Sequence, residues 1–166
     1  MKKVVVISLG GSLIVPEKMD LSFLQHLHRV VKKKYRTHSF VMVCGGGVVA
    51  RKYIGALRQA HKSEKQQSLT GIKVTCLNAH FMMQLFGQDA NMRLPKSAKD
   101  VRNLLRKNNV VFCCTSRYVP HSTSDSGAAR LAHALKADFI NLSNVDALYT
   151  KDPQKYPDAK PIEYIS

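Results

Sequence analysis

The sequence predicts an α/β fold, a three-layer α/β/α sandwich on a mostly parallel sheet. Three observations carry this. Apolar runs of strand length alternate with helix-patterned segments, the runs are apolar at nearly every position, and glycine clusters stop two of them. Strand-then-helix alternation lays successive strands side by side in one direction. A strand apolar throughout is covered on both faces, as parallel strands are.

The elements follow in order. Lys3–Leu9 is the first strand, ended by Gly10-Gly11. Asp20 caps a helix running to about Arg36, with Leu24, Leu27, Val31 and Tyr35 on one face. Lys32, Lys33, Lys34 and Arg36 fall in its last turns, where cations suit the helix dipole. They read as a solvated helix end. Ser39–Cys44 is a second strand, ended by Gly45-Gly46-Gly47, and Val48–His61 a helix. A further helix spans about Gln66 to Phe86, with Phe81, Met82, Met83, Leu85 and Phe86 as core or subunit interface. Ser97 and Asp100 form a short-acid capping box opening a helix to about Lys107. Val110–Cys114 is a strand, Ser124–Lys136 a helix and Asp138–Leu142 a strand. A turn-rich stretch from Asp152-Pro153 to Lys160-Pro161 ends the chain, where such a sheet is expected to continue beneath further helices. The last strand is therefore expected to be poorly covered.

Of 166 residues, 45% are hydrophobic and 22% charged, which excludes a disordered chain. No apolar run approaches the roughly 20 residues of a membrane span. Lys2-Lys3 and the short run behind them fall below a secretory signal. Lys and Arg total 26 against 11 Asp and Glu, a net +15 that favours nucleotides, nucleic acid or acidic membrane surfaces. No aromatic and basic interleaving of the kind RNA-recognition folds use accompanies that charge, so a nucleic-acid-binding role ranks third, on the charge alone. Cys44, Cys76, Cys113 and Cys114 show no CxxC and no His at zinc-finger spacing. They predict a reducing, cytoplasmic setting with no disulfide and no structural metal.

Three loops carry candidate chemistry. Gly10-Gly11-Ser12 and Gly45-Gly46-Gly47 each follow a strand, at the sheet edge where ligands bind. Glycines there let backbone N–H groups approach a phosphate. Such glycines contribute little core, so Gly11→Val or Gly47→Val is expected to abolish nucleotide binding, with the fold suffering less. Arg51 lies four residues beyond the second loop and could reach back to the same anion. The third loop, Pro120-His121-Ser122-Thr123-Ser124-Asp125, enters a helix. Its hydroxyls suit either a phosphate or simple capping, and Asp125 either Mg²⁺ or the helix dipole. The Walker pattern is absent. Gly45, Gly47 and Ala50 satisfy the dinucleotide spacing, but Glu64, at the distance of its acid partner, lies in a polar stretch.

With these residues in place the chain resembles the amino-acid-kinase family, and within it archaeal-type uridylate (UMP) kinases. The matching segments are Val4–Glu17, Gly45–Ile54, Pro120–Ala129, Leu135–Asp138 and Ser143–Pro153. The resemblance runs end to end but covers the N-terminal part of a family member, whose chains continue past the Asp-Pro motif. It implies an amino-acid-kinase-like sandwich lacking its C-terminal part, and phosphoryl transfer from ATP to UMP in pyrimidine nucleotide synthesis. Gly10, Gly11, Ser12 and Asp125 would serve the transferring phosphate, and Gly47 and Arg51 the ATP phosphates. Ser143, Asn144, Tyr149 and Asp152 would line the ATP nucleoside pocket. Gly46, Ser68, Arg117, Pro120, His121, Ser122 and Thr123 would hold UMP, with Mg²⁺ arriving on the nucleotide. Residues 1–110 would form the acceptor-binding and oligomerising half, and 111–166 the start of the ATP-binding half of one domain. A homo-oligomer is expected, helped by the apolar stretch Ile72–Phe86. Against the family pattern, Ser8 stands where many members have Lys and archaeal UMP kinases often Asp, and Ser68 where UMP kinases have an Asp for the ribose. Ser116-Arg117 replaces a Gly-Gly, and Ala147 a Gly. The rival reading is a non-catalytic nucleotide-binding or assembly subunit of the same fold.

Overall fold

The computed structural model describes residues 2–18, 20–115, 117–120, 122–144, 147, 149–151, 153 and 156–163. Strands β1 (Lys3–Leu9), β2 (His38–Cys44), β3 (Val110–Cys113) and β4 (Asp138–Leu142) form one sheet in the order β3-β2-β1-β4. Every pairing is parallel, with Val6 opposite both Val41 and Phe139. Helices α1 (Gly11–Ile14), α2 (Leu21–Lys32), α3 (Gly47–Gln59), α4 (Glu64–Phe86), α5 (Ala98–Leu105) and α6 (Ser124–Leu135) connect them.

The period-two alternation of strand side chains makes two cores from one sheet. Val5, Ile7, Leu9, Phe40, Met42 and Phe112 face α2 and α4, meeting Leu24, Leu27, Val31, Met82 and Phe86. Val6, Val41, Val43, Val111 and Cys113 face α5 and α6, meeting Val101, Ala128 and Ala132. Strands that are buried on both sides must be apolar at both parities, which is why no alternation shows in the sequence. The outer edge of β3 is closed by buried Asn91, whose amide donates to the Phe112 carbonyl and accepts from its N–H (3.0 and 2.7 Å).

Asp20 caps α2, accepting from the Phe23 N–H at 3.0 Å. Leu24, Leu27, Val31 and Tyr35 are all buried. The methionine-rich stretch is core rather than surface: Met82, Met83 and Phe86 are buried, with Phe81 and Leu85 packed against them. Of the apolar residues expected to drive self-association, Leu77 stays largely exposed, at 65%. β4 pairs with β1 on one side, and Phe139 and Ile140 are 41% and 48% exposed.

Ser97 caps α5 through the Asp100 N–H, but the Asp100 carboxylate turns away from a reciprocal box to Arg93. Two guanidinium bonds of 2.6 and 2.7 Å hold it, and with the Lys96 N–H they keep its pKa well below the usual carboxylate range. A depressed folded-state pKa stabilises the fold above the ordinary value of 3.8, an advantage lost as pH falls through the lower folded value. Asp100→Asn should therefore lower the thermal midpoint at pH 7 and make progressively less difference in acid below about pH 4. A pH series of melting curves checks this; a gap of constant size would show that the ion pair contributes nothing.

Candidate functional site

The glycine loops meet at the C-terminal edge of the sheet. A Cβ on Gly11 would lie 2.2 Å from the Gly47 nitrogen and 2.5 Å from the Gly45 oxygen. Real side chains do not fit there. Gly47 adds a left-handed φ of +61°, which glycine adopts without steric cost. Buried Asn78 of α4 donates to the Gly45 carbonyl at 2.7 Å and fixes the junction from a third side. Gly10 extends it to β4, donating to the Leu142 carbonyl at 2.8 Å. The expectation that the fold would suffer less than the ligand from changes at these glycines is therefore corrected: Gly11 and Gly47 hold the loops backbone to backbone.

Beside this junction, Ser8 at the end of β1 is 1% exposed and donates to the Asp125 carboxylate at 2.5 Å. Asp125 sits in the first turn of α6. Thr123 caps that helix in a reciprocal box with Ser126, and Arg130 holds Ser122 at 2.7 Å. The capping explanation of this loop is thus realised at Thr123 and extended to Ser122, which also meets the Ser126 hydroxyl at 2.9 Å, while Asp125 is held by Ser8 outside the cap.

A cleft of about 320 Å³ opens over the junction. Its floor is Gly46 and Gly47. One wall is Arg51 of α3 with Ser68 and Thr75 of α4, and the other is Thr115, Arg117 and Tyr118, with Ser122 and Thr123 beside α6. The lining holds two guanidinium groups, several hydroxyls and, among the described residues, no carboxylate. Such a surface suits a phosphate monoester, with half-buried Tyr118 offering a flat face for a ring.

Residues 3–166 match the amino acid kinase family. The chain belongs to that family. It is 32% identical over 163 residues to the uridylate kinase of Methanobrevibacter smithii, covering 98% of this chain and 71% of that one. The uridylate kinase of Thermococcus kodakarensis is 31% identical, with 98% and 72% covered. The crystal structure of uridylate kinase from Archaeoglobus fulgidus superposes with a TM-score of 0.78 at 32% identity, covering 96% of this chain and 71% of that chain. The fold expected from the sequence is the fold of this amino acid kinase.

Of the predicted site residues, Gly46, Gly47, Arg51, Ser68, Arg117, Ser122 and Thr123 share the cleft. Gly10, Gly11 and Asp125 stand at the loop junction and Ser12 on α1 behind it. Pro120 is exposed and does not line the cleft, and neither do Ser143, Asn144 and Tyr149. Tyr149 bridges Pro161 across an antiparallel turn beyond β4. His121, Asp152 and Ser116 lie outside the described residues. Thr75, Thr115 and Tyr118 were not singled out by sequence, although Thr115 and Tyr118 follow a strand end just as the glycine loops do.

One expectation is overturned outright. Cys76 and Cys114 form a disulfide, with their Cα atoms 4.8 Å apart. The neighbours of this pair, Thr75 and Thr115, line opposite walls of the cleft, so the bond ties α4 to the end of β3 behind it. Cysteine usage consequently carries no argument for a reducing compartment. Cys44 and Cys113 are buried thiols; burial pushes Cys113 up to about 12, which leaves it unreactive.

Two predictions follow from this geometry. Gly11→Ala should unfold or strongly destabilise the protein, read by circular dichroism and denaturant titration, because backbone atoms cannot move aside as a side chain can; a native-like midpoint would show that the loops can part. Cutting the disulfide, which spans 38 residues, should cost about 4 kcal/mol on the chain-entropy estimate. Urea unfolding with and without reductant measures it, and four titratable thiols in unreduced, denatured protein would refute the bond.

Proposed function

We propose that this chain is a UMP kinase-like phosphotransferase, converting ATP and UMP to ADP and UDP. The observation that carries the reading is the carboxylate-free cleft, which joins Gly46, Ser68, Arg117, Ser122 and Thr123 beside Gly47 and Arg51. The names of the relatives support it in the same sense. UMP would seat its phosphate toward Arg117 and the hydroxyls, and ATP would approach the glycine junction from the β4 side with its phosphates toward Gly47 and Arg51. Phosphoryl transfer of this kind needs positioning and charge neutralisation more than a covalent nucleophile. Residues 1–110 then form the acceptor half and 111–166 open the ATP half.

Among the described residues no group of three His, Cys, Asp or Glu side chains is placed to hold a metal. Mg²⁺ fits otherwise, since it binds through one or two carboxylates plus substrate phosphates. Asp125, anchored through one oxygen by Ser8, would supply the carboxylate. Bound there, the ion would neutralise phosphate charge. A cytoplasmic setting belongs to the same proposal, resting on the nucleotide substrates it assigns. Self-association is proposed through the α4 face that carries exposed Leu77.

A coupled assay for ADP with UMP as acceptor, beside calorimetry for UMP, tests the reading. Arg117→Ala should weaken UMP by roughly tenfold or more, since a charge-assisted bond contributes about 1.5–3 kcal/mol. Ser68→Asp should tighten it by a similar factor through a ribose hydroxyl. UMP bound without ADP release would favour the non-catalytic subunit, and UMP not bound at all would remove the reading.

A further inference from the structure

The four strands run one way, so their starts share the edge opposite the glycine junction. The segments that feed those starts are basic. Lys33, Lys34 and Arg36 precede β2 and are all exposed. Arg106 and Lys107 precede β3, Lys136 precedes β4, and Lys2 leads into β1; these too are exposed. Backbone bonds join the segments to one another, from the Lys3 N–H to the Thr37 carbonyl and from the Phe40 N–H to the Asn109 carbonyl. The segments before β1, β2 and β3 are thus adjacent, and Lys136 enters the same edge through β4, which pairs with β1.

A cleft of about 560 Å³ opens on that edge. Lys2, Arg102, Arg106 and Lys107 line it with Asn108 and Asn109, and among the described residues no carboxylate does. The carboxylates nearby are already matched: Asp138 by Lys3 at 2.7 Å, and Asp89 by His28 and Lys32 at 2.8 and 3.3 Å. The positive charge of the edge is thus largely uncompensated within the chain.

We infer that this edge binds the sugar-phosphate backbone of a nucleic acid duplex without reading its sequence. Three features choose that occupant. Adjacent strands lie about 4.8 Å apart, so four strand starts spread the cations over roughly 15 Å, too far for one phosphate group. A duplex offers one charge per about 1.7 Å of axis. The feeding segments, Tyr35 included, expose no large apolar or aromatic side chain among the described residues. These segments themselves offer a membrane nothing to insert and unpaired bases no platform for stacking, which single-strand binding uses; the exposed Phe139 and Ile140 lie further on, within β4. The expectation of a merely solvated helix end treated one basic run alone; the fold gathers four.

Fluorescence anisotropy of a labelled 20-base-pair RNA duplex with the full chain tests this. If about four phosphates are neutralised, affinity should fall roughly a hundredfold between 50 and 200 mM salt. At 100 mM salt, the exposed double changes Lys33→Glu with Lys34→Glu, and Arg106→Glu with Lys107→Glu, should each weaken binding at least tenfold. Arg58→Glu with Lys62→Glu, an equal charge change on exposed residues at the end of α3, should shift it by less than threefold. An equal loss in that control would reduce the effect to net charge and overturn the assignment. So would a duplex that fails to bind at 50 mM salt, or phosphatidylserine vesicles that bind more tightly than the duplex.

Discussion

The contact between two stretches of bare backbone, Gly11 on one side and Gly45 to Gly47 on the other, governs the architecture of this amino acid kinase. At 2.2–2.5 Å from the place a Cβ would take, the opposing atoms are main-chain atoms that cannot rotate aside. The contact sets where α1 and α3 start relative to β1 and β2. Because Asn78 reaches the same carbonyl from α4, it also sets the depth at which that long helix crosses the sheet edge. The cleft is the space left when these constraints are met.

Its chemistry follows from what the junction keeps out. The floor consists of peptide groups, so polarity there is carried by N–H dipoles that need no side-chain ordering on ligand arrival. Charge enters from the walls, through Arg51 and Arg117, whose guanidinium groups suit phosphate geometry better than an ammonium would. Asp125, in the first turn of α6, is held at the sheet by a buried serine and is not among the residues that line the cleft with the arginines. Ser8 is a small neutral donor, and it is enough to hold the carboxylate.

Much of this was legible. Strand and helix positions follow from apolar periodicity, and the three loops from their place after strand ends. Seven of the proposed site residues then meet in one cleft, because a parallel sheet puts every strand end on one edge. What was not legible required distances between parts of the chain far apart in sequence. Cys76 and Cys114 look like two ordinary core cysteines until α4 and β3 are brought together. The run from Phe81 to Phe86 looks too apolar for one helical face because α4 packs on the sheet there while α2 covers its flank, with His28 stacked on Phe86. The glycines were read as open space for a ligand, whereas Gly11 is filled by the other loop.

The same directionality that builds the ligand edge explains where the cations go. Strand ends lead into helix N-termini, which present N–H groups, and strand starts follow helix C-termini, which present carbonyls and favour cations. Lys32 in the last turn of α2 and the basic residues after α5 therefore have a local reason to be where they are. That reason is limited. A dipole interaction contributes about 0.3–1 kcal/mol and falls off within one turn, so one or two cations exhaust it. Lys32, Lys33, Lys34 and Arg36 crowd a single helix end, and Lys2 follows no helix at all. Like charges so placed repel one another at every ionic strength where they are unscreened. An edge that keeps them, with its two nearby carboxylates already engaged, has more positive charge than folding requires.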